Sequence, residues 1–191
     1  MSYLTPLDDL RDEYRRLKPL AEKALSQISD LEFFRSLGPE SNSPAMLVKH
    51  LAGNMRSRWR NLMTEDGEKF DRHRDTEFVI GNEDTREALM KRWQEAWDLG
   101  LVELGSLTDA QLSNMVTIRG EPFTVSRALA RQLSHCAYHV GQIVQLAVYF
   151  AGADWKTLSI PRGGSEEFNR APAPYQVKDE GPVPPRGLIG K

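Results

Sequence analysis

Apolar residues recur at intervals of three and four along much of this chain, a spacing that restricts the fold to packed amphipathic helices. Residues 5–28 show it first, and Thr5 and Pro6 suit the N-cap and first turn of a helix. Residues 41–63 show it again, after serine and asparagine capping residues and Pro44. We therefore predict a first and a second helix over these two stretches.

The second half of the chain predicts two more long helices. The third runs from about Asp84 to Glu103 and uses Trp93 and Trp97 on its buried face. The fourth runs from about Val125 to Gly152, after a short alternating stretch at 112–125 that predicts a two-stranded or extended excursion. An aperiodic, charged loop over 64–82 separates the second helix from the third, and loops of this length are often functional. We predict an all-α fold, a four-helix bundle.

The composition changes after the fourth helix. Residues 153–191 are rich in proline and glycine and have neither helical nor strand periodicity. We therefore predict a bundle domain over residues 1–152 and an extended, irregular C-terminal arm over residues 153–191.

Charge and hydropathy exclude several classes of function. With 27 acidic and 25 basic residues, the formal net charge is −2, which gives no long-range attraction for nucleic acid or anionic lipid. The longest apolar run, "IVQLAVYFAGA", is well short of the roughly 20 residues of a membrane span. The first residues lack the pattern of a secretory signal, so we expect a cytoplasmic protein. Because Cys136 is the only cysteine, any metal site within one chain depends on His and carboxylate ligands.

Histidines mark the candidate site. In "SHCAYHVGQIVQL", His135 and His139 lie one helical turn apart, with Cβ atoms within roughly 6 Å. A metalloprotease helix would need Glu after the first His, and this chain has Cys136 there. On the second helix, His50 shares a polar stripe with Asn54. If the second and fourth helices are neighbours, the three imidazoles can converge on one ion.

Each of these residues also has a structural interpretation. A buried His pair can be hydrogen-bonded structure, His73 suits a solvated loop, and Cys136 suits an inert buried thiol. Gly141 weakens a helix by about 1 kcal/mol relative to Ala, so we expect a neighbouring backbone or ligand to approach it closely.

The order of these motifs resembles the DinB/YfiT-like superfamily of metalloenzymes. A capped second helix carries His50 in "LVKHLAGN", and the last helix carries "HCAYHVGQI". The resemblance covers about residues 1–152, and similar tails occur in an uncharacterised branch. It implies a four-helix bundle in which His50, His135 and His139 bind one divalent ion. Imidazole suits several metals, and we expect zinc or nickel first, with iron or manganese as further candidates.

Three neutral imidazoles leave an ion with its full charge and an open position, as in catalytic sites. The first hypothesis is a thiol-dependent S-transferase, because members of the superfamily use bacillithiol or mycothiol as the low-molecular-weight thiol. Asn54, Arg131, Tyr138 and Gln142 are then the candidates for contacting the thiol or a small-molecule substrate, or for supporting the ligands.

Two alternatives remain open. A hydrolase would use a metal-bound water, with a base recruited from the acids of the long loop, which are Glu65, Asp66, Glu68, Asp71 and Asp75. A non-catalytic interaction module would use the arm or the helix faces, and the His site would then be structural or vestigial. We expect a homodimer under any of the three hypotheses.

Overall fold

The structure is a computed structural model that describes residues 5–170, so the distal part of the predicted arm, residues 171–191, lies outside the described residues. The chain is mostly helical, with one two-stranded sheet. The helices are α1 (Pro6–Leu25), α2 (Asp30–Phe34), α3 (Pro44–Trp59), α4 (Arg86–Ser106), α5 (Val125–Ala151) and α6 (Ser165–Arg170), and the strands are β1 (Met115–Ile118) and β2 (Glu121–Thr124).

The four long helices correspond to the four predicted ones, and local signals set their first residues. Thr5, Ser43, Thr85 and Thr124 are the N-caps of α1, α3, α4 and α5, and each side chain accepts a hydrogen bond from a backbone N–H of the first turn. Helix α3 ends at Trp59 rather than at Met63, since Arg60 is extended and Asn61 has a positive φ of 51°. The short α2 was not predicted because five residues carry no readable period.

The long helices pack around one apolar core. Helix α3 contacts α4 and α5, and α1 contacts α5 and α4. Trp59, Trp93 and Trp97 are among the largest fully buried side chains, so the predicted tryptophan pair of the third helix does lie in the core. Within the described residues, no helix combines the length and apolar character that crossing a membrane requires.

Two compact units divide the chain, residues 1–159 and residues 160–191. The first contains the long helices and the sheet, and the described part of the second contains α6. The domain boundary after residue 152 stays a prediction.

The loop between α3 and α4 is held against the β-hairpin by one carboxylate. Strands β1 and β2 pair antiparallel through a two-residue turn in which Arg119 and Gly120 have φ values of 57° and 75°. The carboxylate of Asp66 accepts the backbone N–H groups of both turn residues at 2.8 Å. The same side chain accepts the N–H of Glu68 at 2.7 Å, and Gly67 donates to Thr117 O at 2.8 Å. The loop is therefore fixed at its start, before it reaches the residues next to His50.

Burial would raise the pKa of Asp66, but hydrogen bonds from the N–H groups of Glu68, Gly120 and Arg119 outweigh it and lower the pKa to about 2. Because the folded pKa is depressed, this stabilisation is complete above the ordinary pKa of 3.8 and disappears as the pH falls through about 2.

We expect Asp66→Ala to lower the free energy of unfolding near pH 7 by about 1 kcal/mol, because the backbone N–H groups of Glu68, Arg119 and Gly120 lose a charged acceptor. Urea unfolding measured between pH 7 and pH 2 should show the difference from wild type shrinking below about pH 4. Asp75→Asn is the matched control, because the Asp75 side chain is fully exposed. A difference that stays constant with pH would contradict this role of Asp66.

Candidate metal centre

Three imidazoles from α3 and α5 lie together between the two helices. One nitrogen from each of His50, His135 and His139 can be chosen so that all three lie within 4.8 Å of one another. The His50 and His135 Nε2 atoms are 3.3 Å apart. His50 and His139 are buried, and His135 is partly exposed. The contact between α3 and α5 therefore creates a cluster that could hold a metal ion.

Hydrogen bonds fix the orientation of two of the rings. His50 Nδ1 lies 2.8 Å from Glu77 Oε2, and His139 Nδ1 lies 2.7 Å from Gln142 Oε1. Both partner atoms are acceptors, so each Nδ1 donates, and in the neutral form of each ring Nε2 is then the nitrogen that carries the lone pair. Metal-binding histidines have this arrangement, with the second ring nitrogen donating to a carboxylate or carbonyl oxygen.

The third ring has an unsatisfied nitrogen. His135 Nδ1 is buried and has no hydrogen-bond partner among residues 5–170. Burial, followed by the nearby His139 and His50, lowers the pKa of His135 to about 3, and burial also lowers the pKa of His139. These two rings are therefore neutral at pH 7, which is the form of imidazole that binds a metal ion. Three imidazole nitrogens within 4.8 Å of one another, two of them on neutral rings, therefore fit a divalent cation.

A buried ion pair between Glu77 and Arg72 supports His50 at its Nδ1 atom. Glu77 is 6% exposed, and its two oxygens accept hydrogen bonds from Arg72 Nε and Nη2, each at 2.8 Å. Burial would raise the pKa of Glu77, but the hydrogen bonds from Arg72 and His50 outweigh it and lower the pKa. Glu77 therefore stays ionised and makes the His50 ring more electron-rich as a ligand.

Sequence reasoning missed Glu77, because the loop that carries it has no periodicity. The structure places it in a short 3-10 helix, Arg74–Phe78, which packs against α3. Phe78 stacks on the His50 ring with centroids 4.7 Å apart. One signal was present: Gly53 follows His50 by about one turn, and a Cβ at Gly53 would lie only 2.8 Å from Glu77 Cδ. The glycine leaves the space that the carboxylate occupies.

The remaining predicted residues have separate positions. Asn54 is buried, and its Oδ1 accepts a hydrogen bond from Gln132 Nε2 at 2.9 Å. Gln142 links His139 to Tyr138, whose side chain is largely exposed. Arg131 is exposed and lies over the Phe123 ring at 5.8 Å. Gln142 thus contacts a ring of the cluster through a hydrogen bond, whereas Asn54 and Arg131 lie along the same helices without such a contact.

Three further predictions concern residues around the cluster. Cys136 is fully buried, and burial raises the pKa of its thiol to about 12, as expected for an inert side chain. His73 is exposed, as predicted. The expectation for Gly141 was wrong: it is exposed, and a Cβ there would meet nothing within 4 Å.

The loop acids proposed as a hydrolytic base are engaged elsewhere or point to solvent. Glu68 pairs with Arg72 and Arg119, and Asp71 pairs with Arg60. None of the predicted acids has a hydrogen bond or ion pair to an imidazole of the cluster; these acids are Glu65, Asp66, Glu68, Asp71 and Asp75.

A cavity of about 480 Å³ lies between α3, α4 and the loop. Gly53, Arg72 and Glu77 line it, whereas the three imidazoles do not. The cavity therefore borders the residues that orient His50.

Comparison with known proteins gives a family without an assigned activity. Residues 2–164 match a family described as "Protein of unknown function (DUF1572)". The comparison with curated proteins gave no match. The geometry of the site is therefore the basis for assigning a function.

We expect Glu77→Gln to weaken zinc binding by about 10- to 100-fold, because His50 loses its anionic acceptor. Competition with a chromophoric chelator measures the affinity. Glu68→Gln is the matched control, since it also removes a carboxylate from Arg72 but does not touch His50. Equal losses in the two variants would assign the effect to Arg72 instead.

Gly53→Ala and Gly141→Ala form a second matched pair. We expect Gly53→Ala to displace the Glu77 carboxylate and to weaken zinc binding by about tenfold. Gly141→Ala should leave zinc binding unchanged and stabilise the fold by about 0.5–1 kcal/mol, because Ala is the better helix former. Thermal unfolding and zinc titration measure both effects, and a weaker affinity in Gly141→Ala would contradict the assignment.

Proposed function

This chain belongs to the DUF1572 family, and we propose that it is a metal-dependent enzyme in which His50, His135 and His139 hold one divalent ion. The carrying observation is the convergence of three imidazole nitrogens within 4.8 Å, with two of the rings oriented by acceptors on their opposite nitrogens. A site built from three neutral nitrogen ligands leaves a coordination position for a reactant. Zinc or nickel is the first expectation.

We further propose that the fold is a DinB/YfiT-like four-helix bundle. The pairwise packing of α1, α3, α4 and α5 supports this proposal. So does the order of the motifs, with one His on α3 and two on α5.

The proposed reaction is transfer of a low-molecular-weight thiol to a small electrophile. When bound, the ion would supply Lewis acidity that favours the thiolate form of a thiol near neutral pH. The thiol proton passes to solvent, a new carbon–sulfur bond forms at the electrophile, and the leaving group departs with the electron pair of its bond to that carbon. This reaction needs no carboxylate of the chain as a base, which agrees with the finding that the loop acids contact other groups or solvent and have no hydrogen bond or ion pair to the imidazoles.

The residues of the chain would position the reactants. Gln142 contacts both the His139 ring and the Tyr138 hydroxyl, and the largely exposed Tyr138 ring lies 5.0 Å from the His139 ring. Glu77 and Arg72 hold the His50 ring. Hydrolysis ranks below transfer, because Glu77, the carboxylate beside the imidazoles, is already shared by Arg72 and His50.

The first experiment is elemental analysis of tag-free protein purified without chelator. We expect about one equivalent of a transition metal in the wild type and little in His50→Ala or His139→Ala, since each variant loses a ligand. Circular dichroism checks that the variants fold. No metal in the wild type, even after incubation with zinc or nickel, would contradict the proposal.

The thiol step has its own test. Cobalt-substituted protein is titrated with 2-mercaptoethanol and with cysteine, and we expect new sulfur-to-cobalt absorption at saturating thiol. S-methylcysteine, which has no thiol proton to lose, is the matched control. A spectrum that does not respond to either thiol would contradict thiol transfer while leaving metal binding intact.

A further inference from the structure

Arg58 on α3 is a largely buried cation with one unpartnered nitrogen in the part of the chain that the structure describes. The residue is 8% exposed, and its Nη1 atom is buried with no hydrogen-bond partner among residues 5–170. Burying a charged group without a compensating partner is unfavourable, so native structures almost always pair such groups. The unpaired Nη1 of Arg58 is such an exception, and a partner that the described residues do not supply would explain it.

The surroundings of Arg58 are electropositive. Burial lowers the pKa of Arg58; Glu68 opposes this shift, while the charges of Arg72, Arg131 and Arg119 add to it. Glu68 already pairs with Arg72 at 3.0 Å and with Arg119 at 3.5 Å. Neither Arg58 nor Arg131 has an ion pair with a carboxylate of residues 5–170. The charges of the cluster therefore favour the approach of one more negative group.

The protein backbone is shaped around this guanidinium. A Cβ at Gly67 would lie 2.6 Å from Arg58 Nη1, so glycine is needed where the loop passes it. The nearby Gly67 carbonyl accepts instead from Ser57 Oγ at 3.1 Å, and the Gly67 N–H donates to Thr117. The start of the loop therefore packs against the Arg58 guanidinium but does not neutralise its charge.

The position of Arg58 relates it to the imidazoles. His50, Asn54 and Arg58 follow one another at intervals of four on α3, so Arg58 lies two turns, about 12 Å along the axis, from His50. Arg131 lies one turn from His135 on α5. The Asn54–Gln132 hydrogen bond joins the two helices between these ends. The imidazole and guanidinium groups on α3 are therefore separated by a span comparable with the length of a small molecule.

We propose that Arg58, assisted by Arg131, binds an oxyanionic group, a carboxylate or a phosphate, of the molecule that reacts at the three-His site. The proposal rests on the proposed function, which supplies the reacting end of that molecule. Guanidinium groups bind such oxyanions through paired, charge-assisted hydrogen bonds. The substrate class is thus narrowed to anionic small molecules.

The test measures anion binding and stability together. Inorganic phosphate and acetate are titrated separately into metal-free and zinc-loaded full-length protein by calorimetry, with chloride at equal ionic strength as the reference. We expect at least one of the two oxyanions to bind the wild type in both states. Arg58→Met, which keeps an unbranched side chain but removes the charge, should bind it about tenfold more weakly.

The same variants separate a binding role from a structural one. In chloride alone, Arg58→Met should melt at or above the temperature of the wild type, because an unpaired buried charge is removed. Arg127→Met is the matched control: Arg127 is exposed on α5 and lies over the same Phe123 ring at 4.8 Å, and its loss should not affect oxyanion affinity.

Zinc content of each variant keeps the two proposals distinguishable. Normal zinc content in Arg58→Met together with weaker oxyanion binding supports the anion site. Normal zinc content with unchanged oxyanion affinity, or a wild type that binds neither phosphate nor acetate, overturns the anion site and leaves the metal proposal standing. A wild type that binds phosphate or acetate but no zinc would overturn the proposed function and, with it, the link between the anion site and the imidazoles.

Discussion

A buried imidazole needs a partner for each ring nitrogen, and this requirement organises the centre of the molecule. Three rings between α3 and α5 present six nitrogens, and the chain supplies acceptors to only two of the three Nδ1 atoms. The third, on His135, has none among the described residues. A core built only for stability would use apolar side chains at these positions. The cluster could therefore hold a cation as a further partner of these rings.

The two acceptors that the chain supplies lie at different sequence distances from their histidines. Gln142 is three residues from His139 on the same helix, so local geometry sets that contact. Glu77 is 27 residues from His50 and reaches it only because the loop is fixed at Asp66 and fits against Gly53. Arg72 then compensates the buried carboxylate. One ring is oriented by secondary structure and the other by tertiary structure.

This difference explains what the sequence could predict. Apolar periodicity and N-caps located α1, α3, α4 and α5, and helical wheels placed His50, His135 and His139 on facing stripes, because both arguments depend on local geometry. Glu77 was missed, since an aperiodic loop gives no register from which its contact with His50 could be inferred. The expectation for Gly141 failed because a glycine in a helix does not by itself show whether a neighbouring backbone or ligand approaches it. The sequence gives no signal for Arg58, because its burial depends on the loop that packs against it.

His50 belongs to α3, and Glu77 belongs to the loop between α3 and α4. The strength of His50 as a metal ligand and the docking of the loop are therefore thermodynamically linked. An ion that prefers the His50–Glu77 pair also stabilises the docked loop, and by the same amount the docked loop raises the affinity for the ion. Phe70 in this loop is 97% exposed, so the middle of the segment adds little apolar burial of its own. The loop would then act as a reporter of occupancy: its protection from hydrogen exchange should rise and fall with the ion.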